Sequence, residues 1–302
     1  MATPYHKKST GNQRNEAREA LGHLQLRKLQ PEMIEAYYGN ACEKLSARTV
    51  QHHHRLLSEA LKHAERRGHI GRNPCSLAEA PSPRKRIMRT LTPAEVETML
   101  EYAADNQFYP VYYTAVSTGL RQAELLGLRW RDIDLDGLSL SVSRTLYKRR
   151  GVCIFKEPKT KGSSRRVTLT PKLARFLREY KREREIMYLE RGKILSLDDS
   201  VFANDKGKPL DPCTITHNFA KIAKRAGLGQ VRFHDLRHTF ASIMLMKGAP
   251  AKVISECLGH ASVAFTMDTY SHLIEGMQED AMALLDEALP PGMVENKEGV
   301  SI

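Results

Sequence analysis

The stretch Thr-Gly-Leu-Arg-Gln-Ala-Glu-Leu-Leu-Gly-Leu-Arg-Trp occupies residues 118–130 and separates a helical region from a β region. Residues 108–117, just before it, are strongly apolar and aromatic, which predicts a buried helix. Gly119 is the residue type that most often ends a helix. Beyond the stretch, residues 138–146 alternate between apolar and polar side chains, which predicts a strand with one buried face.

The chain on either side extends this pattern. Residues 148–151 predict a turn, residues 152–156 a returning strand and residues 166–169 a third strand. Nearly everything after Pro171 has helical character, as do the first 80 residues, where 49–67 form one long predicted helix. The expected fold class is therefore mainly α with a small antiparallel β-sheet (α+β).

Punctuation residues divide the chain into two predicted domains. Residues 1–80 form a helical domain, and residues 81–91, with two prolines near three cations, form a linker. Thr-Pro-Ala-Glu at 92–95 predicts a capping box that begins the second domain, which extends over 92–289. Residues 290–302 are expected to be a disordered tail.

Charge narrows the function classes. The net charge is +12, and residues 144–166 alone hold nine Lys or Arg against one acid, a local balance of +8. Such a concentration favours a nucleic-acid partner over a basic surface kept for solubility. No apolar run approaches membrane-spanning length and the first residues are polar and basic, so we expect a cytoplasmic protein without membrane contact.

Metal sites and disulfides are not expected. The five cysteines are odd in number and contain no CxxC pair, which favours free thiols. His52, His53 and His54 are adjacent, and neighbours on a helix point in different directions, so they cannot all face one ion.

Four motifs hold the residues suited to phosphate chemistry. They are Thr118–Trp130, Pro-Lys-Thr-Lys-Gly-Ser-Ser-Arg-Arg-Val (158–167), His-Asp-Leu-Arg-His-Thr-Phe-Ala-Ser (234–242) and Leu-Gly-His-Ala-Ser-Val-Ala-Phe-Thr-Met-Asp-Thr-Tyr (258–270). Each alone is weak, but together and in this order they resemble the tyrosine recombinase, or phage integrase, family over about residues 20–285. The resemblance implies a helical core-binding domain of the SAM-like type followed by a catalytic domain.

The resemblance implies a phosphate-binding set. Arg121 and Arg237 match the two arginines that grip the scissile phosphate, Glu124 matches the acid that supports the first of them, and His260 matches a hydrogen-bond donor to the phosphate. Two guanidiniums can hold the oxygens bidentately and stay charged, so neither metal nor other cofactor is required.

It also implies a nucleophile and two proton-transfer groups. Tyr270 matches the nucleophile, which forms a 3′-phosphotyrosine, and His234 is the expected acceptor of its proton. Lys159 matches the lysine that protonates the leaving 5′ oxygen, although Lys156 and Lys161 are neighbours that a turn could present instead. One phosphodiester replaces another, so the reaction needs no ATP.

The implied partner is a double-stranded DNA recombination site, bound by a homotetramer that is a monomer or weak oligomer when free, with a directionality factor as a further partner. Residues 274–289 predict an amphipathic tail helix that packs on a neighbouring subunit or on its own domain. Only some twenty residues precede Leu21-Gly22, fewer than in many phage-type members, which leaves a short member and a truncated chain without an arm-binding domain both open.

Two other functions compete with this interpretation. A type IB topoisomerase shares the chemistry but relaxes supercoils without exchanging strands. A non-catalytic DNA-binding regulator would explain the helix–turn–helix appearance of residues 249–273. That second alternative leaves Arg121, Lys159 and the His234–Arg237 pair without a purpose, so we expect an enzyme that integrates or excises a phage or mobile element.

Overall fold

A computed structural model describes residues 10–83, 88–157, 165–260 and 262–274, with the single positions 282 and 286. The chain divides into two compact units between residues 87 and 88. The predicted disordered tail, most of the predicted tail helix and Lys159 lie outside the described residues.

The first unit contains three helices, α1 (Thr10–Leu21), α2 (Pro31–Cys42) and α3 (Ala47–Arg66). Ile34, Val50 and Leu61 are fully buried between them, as expected for apolar residues repeated at helical spacing. The Ser46 hydroxyl accepts a hydrogen bond from the Thr49 amide and caps α3, which confirms the long helix predicted from residue 49.

The second unit contains eight described helices: α4 (Pro93–Ala103), α5 (Tyr109–Thr118), α6 (Gln122–Leu125), α7 (Pro171–Leu189), α8 (Pro212–Arg225), α9 (Asp235–Met246), α10 (Ala251–Leu258) and α11 (Val263–Ile274). The predicted capping box begins α4: Thr92 accepts from the Glu95 amide at 3.2 Å, and the Glu95 carboxylate accepts from the Thr92 amide at 2.9 Å.

Five short strands complete this unit: β1 (Ile133–Asp134), β2 (Ser139–Val142), β3 (Thr145–Arg149), β4 (Val152–Lys156) and β5 (Arg165–Thr168). Strands β1, β2 and β5 form one antiparallel sheet in that order, whereas β3 and β4 form a separate hairpin. Arg150 and Gly151 both have positive φ at the hairpin turn, as a type I′ turn requires.

The structure corrects one predicted element. Residues 138–146 do not form a single strand, because the chain leaves the first sheet after Val142 and enters the hairpin at Thr145. The Ser143 hydroxyl donates to Asp132 at 2.7 Å, and Arg144 donates from Nε to the Gly127 carbonyl at 2.7 Å. These side-chain bonds hold the residues between β2 and β3 outside both ladders.

Helix α5 lies in the main core of the second unit. Val111, Tyr112 and Ala115 are fully buried, and the Tyr112 ring packs against Phe219 and Phe233. Helix α9 packs on α5, and α10 and α11 pack on α9. The packing therefore brings the end of α5, the start of α9 and the end of α10 into one region, although 139 residues separate Gly119 from Leu258 in the sequence.

Candidate active site

Arg121 leaves the turn that ends α5. Gly119 adopts a left-handed conformation with φ of 64°, and a Cβ there would lie 2.5 Å from Cδ1 of Phe240, so this tight turn requires glycine. Arg121 follows as the N-cap residue of α6. Its Nη1 donates to Glu124 at 2.8 Å and its Nη2 donates to the Gly259 carbonyl at 3.2 Å, while 43% of the side chain stays exposed.

Glu124 holds a second arginine that the sequence analysis did not single out. Arg165, at the start of β5, donates from Nη1 and Nη2 to the two carboxylate oxygens at 3.0 and 2.8 Å. Burial raises the pKa of Glu124, but the hydrogen bonds and charges of Arg165 and Arg121 outweigh it and lower the pKa to about 2. Glu124 is therefore a carboxylate that links α6 to β5.

Arg165 continues from Glu124 to the end of α10. Its Nε donates to the Cys257 carbonyl at 2.8 Å. A Cβ on Gly259, where φ is 64°, would lie 2.7 Å from Arg165 Nη1. The left-handed backbone and the nearby guanidinium together favour glycine at this helix end.

Arg237 has a different environment. It lies in the first turn of α9, is 4% exposed, and donates from Nη1 to the Gly119 carbonyl at 2.8 Å and from Nη2 to the Leu258 carbonyl at 2.6 Å. Burial, followed by the nearby Arg121 cation, lowers the pKa of Arg237 to about 9, which leaves it charged at neutral pH. In the described part of the chain, no carboxylate forms an ion pair with it.

The two predicted phosphate-binding arginines converge on one carbonyl. Leu258 O accepts from Arg237 and, at 3.4 Å, from Arg121 Nη1. The last carbonyls of a helix lack partners within the helix and carry its negative end, so they attract and orient guanidiniums. Within the described residues Arg121 makes three side-chain hydrogen bonds and Arg237 makes two. Each guanidinium has five N–H groups, so donors remain for an anion.

His260 follows this helix end directly. Its Nδ1 lies 2.8 Å from the Thr266 hydroxyl, and its ring meets the Phe265 ring edge-on. Burial, then Arg237 and Arg121, lowers the pKa of His260 to about 4, so the ring is neutral at neutral pH. In the tautomer in which Nδ1 accepts from the buried Thr266 hydroxyl, the proton is on Nε2, which can then donate to an oxyanion.

Tyr270 lies on α11 with 2% of its surface exposed. Burial raises the pKa of Tyr270 to about 12, partly opposed by the charge of Arg237. The Tyr270 hydroxyl lies 2.9 Å from Nδ1 of His238, a residue of α9 that the sequence analysis did not select. The only feature of the sequence that could have indicated a role for His238 is its position directly after Arg237.

The structure says less about the two predicted proton-transfer residues, His234 and Lys159. His234 is the exposed N-cap residue of α9, and its ring meets the His238 ring edge-on at 5.1 Å. Desolvation and the Arg237 cation lower the pKa of His234. Lys159 falls outside the described residues, in the connection from β4 to β5. The described part of the chain thus brings together Arg121, Glu124 and Arg237 with His260 and Tyr270.

The basic stretch at 144–166 is not uniformly available to a polyanion. Arg144 stacks over the Phe155 ring at 3.8 Å, Lys148 pairs with Asp211, and Arg165 pairs with Glu124. Elsewhere, the described residues hold no group of three or more His, Cys, Asp or Glu able to bind a metal ion. None of the helices in the described ranges combines the length and hydropathy that a bilayer crossing needs.

Comparison with known proteins adds an independent observation. Residues 89–276 match the phage integrase family. The chain is 29% identical over 273 residues to a XerC-like tyrosine recombinase of Caldanaerobacter subterraneus subsp. tengcongensis, covering 84% of this chain and 70% of that protein. It is 32% identical over 248 residues to the ICEBs1 integrase of Bacillus subtilis, covering 81% and 67%.

Solved structures agree on the fold. The Tn1549 transposon integrase in complex with transposon right end DNA aligns with a TM-score of 0.76 at 21% identity, over 93% of this chain and 95% of that one. A lambda integrase dimer bound to a core site aligns with a TM-score of 0.63 at 22% identity, over 88% and 90%. These likenesses confirm the predicted α+β fold class.

Proposed function

The chain belongs to the phage integrase family and is a site-specific recombinase that cleaves and rejoins DNA strands; we propose that Tyr270 is its nucleophile and that Arg121 and Arg237 hold the scissile phosphate. The observation that carries this assignment is the convergence of the two guanidiniums on the Leu258 carbonyl. Two fixed cations with donors to spare form an anion site, and a phosphodiester of DNA is the anion that the family acts on.

The transition state explains why two guanidiniums are needed. Attack on phosphorus adds negative charge to the non-bridging oxygens, and preorganised charged donors stabilise that charge without reorganising. Arg121 and Arg237 supply planar N–H groups, and His260 adds one neutral donor whose orientation Thr266 fixes. Glu124 and Arg165 are positioning residues, since they hold Arg121 through the carboxylate.

The covalent step balances as a transesterification. The Tyr270 oxygen bonds to phosphorus and loses its proton, while the bond from phosphorus to the 5′ oxygen breaks and that oxygen takes a proton. We assign the second proton to Lys159, with Lys156 and Lys161 as the neighbouring alternatives. His234 lies at the exposed start of α9 and matches the family's histidine or lysine position beside the second arginine. Attack by a 5′ hydroxyl of a partner strand reverses the step and exchanges strands.

The helix pair α10–α11 supports an enzyme over a regulator. Its helix–turn–helix appearance comes from the turn at Gly259 and His260, whose flanking carbonyls orient both arginines. A regulator would have no use for a buried cation beside a buried tyrosine. We further propose that the enzyme assembles as a homotetramer on its double-stranded site, serves a phage or other mobile element in the cytoplasm, and responds to a directionality factor.

A nicked suicide substrate tests the nucleophile. The substrate carries the attachment site, whose sequence is taken from the junctions between host DNA and the element that encodes the chain. On this substrate the wild-type enzyme should accumulate a covalent protein–DNA adduct. Tyr270→Phe should bind the same DNA in a mobility-shift assay but form no adduct, because the attacking oxygen is gone. Tyr102→Phe is the matched control, since Tyr102 is exposed on α4, and should react as wild type does. An adduct formed by Tyr270→Phe would refute the assignment.

A further inference from the structure

We propose that His238 is a further catalytic residue of this site, the base that takes the proton of Tyr270 as its oxygen attacks phosphorus. The inference rests on the proposed function, because it presupposes that Tyr270 is the nucleophile. It moves the role of proton acceptor from His234, where the sequence motif placed it, to the histidine one helical turn further along α9.

Geometry carries the assignment. Nδ1 of His238 and the hydroxyl oxygen of Tyr270 lie 2.9 Å apart, and a general base must lie within this reach of the proton it removes. The contact joins α9 to α11 across 32 residues of sequence. Tyr270 is almost fully buried and His238 is partly buried, so little water competes for the bond.

The other histidines of the site are engaged differently. Nδ1 of His260 faces Thr266, and the His234 ring meets the edge of the His238 ring without a hydrogen bond to Tyr270 among the described residues. The charged and titratable groups acting on His238 include His234, Asp235, Arg237 and Arg232. His238 also interacts electrostatically with His260, and Arg237 also acts on Tyr270. Asp235 is itself held by Arg232 through two hydrogen bonds to the guanidinium, at 3.1 and 2.7 Å.

Electrostatics decides the resting protonation state. Burial, then His234, lowers the pKa of His238 to about 4, whereas burial raises the pKa of Tyr270 to about 12. The imidazole is therefore neutral and the phenol protonated at neutral pH, which is the state in which a hydroxyl donates to Nδ1. Transfer in the DNA-free site is strongly uphill, so the enzyme does not hold a free phenolate.

The scissile phosphate changes this balance. Its negative charge favours an imidazolium nearby, and the phenol oxygen becomes a much weaker base as its bond to phosphorus forms. The O–H electron pair stays on Tyr270, the proton moves to Nδ1, and the electron pair of the broken phosphorus–oxygen bond leaves with the 5′ oxygen. In the reverse direction the imidazolium returns the proton to the departing phenolate, so His238 acts in rejoining as well.

A His238→Asn variant separates proton transfer from positioning. Its amide lies near the position of Nδ1 and can still bond to the Tyr270 hydroxyl, but it cannot accept a proton. Single-turnover cleavage of the nicked substrate should fall about 10²-fold or more at pH 7, the usual contribution of a general base. The loss should shrink as pH rises toward the pKa of the phenol. His217→Asn, an exposed histidine of α8, is the matched control and should cleave as wild type does.

Substituting 3-fluorotyrosine at position 270 sharpens the test. The more acidic phenol needs less help from a base, so it should recover much of the rate that His238→Asn loses. Wild-type rate and pH profile in His238→Asn, with Tyr270→Phe inactive, would overturn the inference and leave the nucleophile in place. An adduct formed by Tyr270→Phe would instead refute the proposed function.

A measurement on the wild-type chain covers the case in which His238→Asn fails to fold. Nitrogen-15 spectra of histidine-labelled protein distinguish a protonated from an unprotonated Nδ1. We expect one histidine ring to show an unprotonated Nδ1 that accepts a hydrogen bond. The signal of that nitrogen should shift in Tyr270→Phe. A protonated Nδ1 on the ring that responds to Tyr270→Phe would overturn the inference, because that nitrogen would be donating to the tyrosine.

Discussion

Arg121 and Arg237 are both cations of the candidate site, but the protein surrounds their charges with different kinds of partner. The Arg121 side chain is 43% exposed and paired with Glu124, which Arg165 holds from the other side. Arg237 is 4% exposed, and its protein partners among the described residues are the carbonyls of Gly119 and Leu258. A carboxylate that is shared with Arg165 pairs with the first arginine before DNA arrives, whereas the second forms hydrogen bonds only to carbonyl dipoles among the described residues.

The difference indicates where the phosphate contributes most. A buried charge without an ionic partner is costly to hold, and the cost falls when a counterion binds. Arg237, which has no ion-pair partner among the described residues, therefore gains most from the phosphate as a counterion, while Arg121 already shares the charge of Glu124 with Arg165 and serves mainly to orient the anion. Arg237 is therefore the arginine whose charge is less compensated by the protein, and Arg121 is the one held in position by charged side chains.

Removing either guanidinium should have the largest effect on the cleavage rate, and the two losses of rate should be unequal. Arg237→Met should slow single-turnover cleavage by about 10³-fold, the upper range for one preorganised donor group, since no water can replace it in the buried position. Arg121→Met should cost about 10²-fold, because water reaches this exposed side. Arg175→Met, an exposed arginine of α7, is the control. Equal losses at both positions would contradict the proposed division of roles.

Removing the carboxylate should act on stability. Glu124→Gln leaves Arg165 buried without its partner and should lower the free energy of unfolding by about 3 kcal/mol at pH 7. The folded pKa of Glu124, about 2, lies below its ordinary 4.5, so this stabilisation is present above pH 4.5 and is lost as pH falls toward 2.

Urea unfolding at a series of pH values measures both effects. Wild type should lose stability across the interval from pH 4.5 to 2, and Glu124→Gln should lack this component of the loss. Glu101→Gln, an exposed acid of α4, should resemble wild type throughout. Retention of the acid-sensitive component in Glu124→Gln would show that another group is responsible for it.

The smallest expected effect is on anion binding without DNA. Sulfate resembles the phosphate and should stabilise the wild-type chain by about 1.4 kcal/mol at ten times its dissociation constant. Arg237→Met should lose this specific part and keep only the general stabilisation by salt, measured as the shift of Tm at matched sulfate and chloride ionic strengths. A sulfate response in Arg237→Met equal to that of wild type would remove the argument that Arg237 lacks a counterion.

Local patterns were sufficient where the stabilising partners are close in sequence. The Thr92–Glu95 capping box, the end of α5 at Gly119 and the hairpin turn at Arg150–Gly151 each depend on a few adjacent residues, and all three were predicted. The strand expected over 138–146 failed for the complementary reason. Its break depends on Asp132 and Gly127, which lie before the segment and outside its alternation.

The sequence by itself determined the family, the fold class and a list of residue types fit to hold a phosphate and attack it, since the four motifs and their order are properties of the chain. Only the tertiary structure decided which groups meet. Arg165 reaches Glu124 across 41 residues, Arg121 reaches Gly259 across 138, and His238 rather than His234 bonds to Tyr270. Packing of α5, α9, α10 and α11 sets those distances, and no spacing along a chain contains that information.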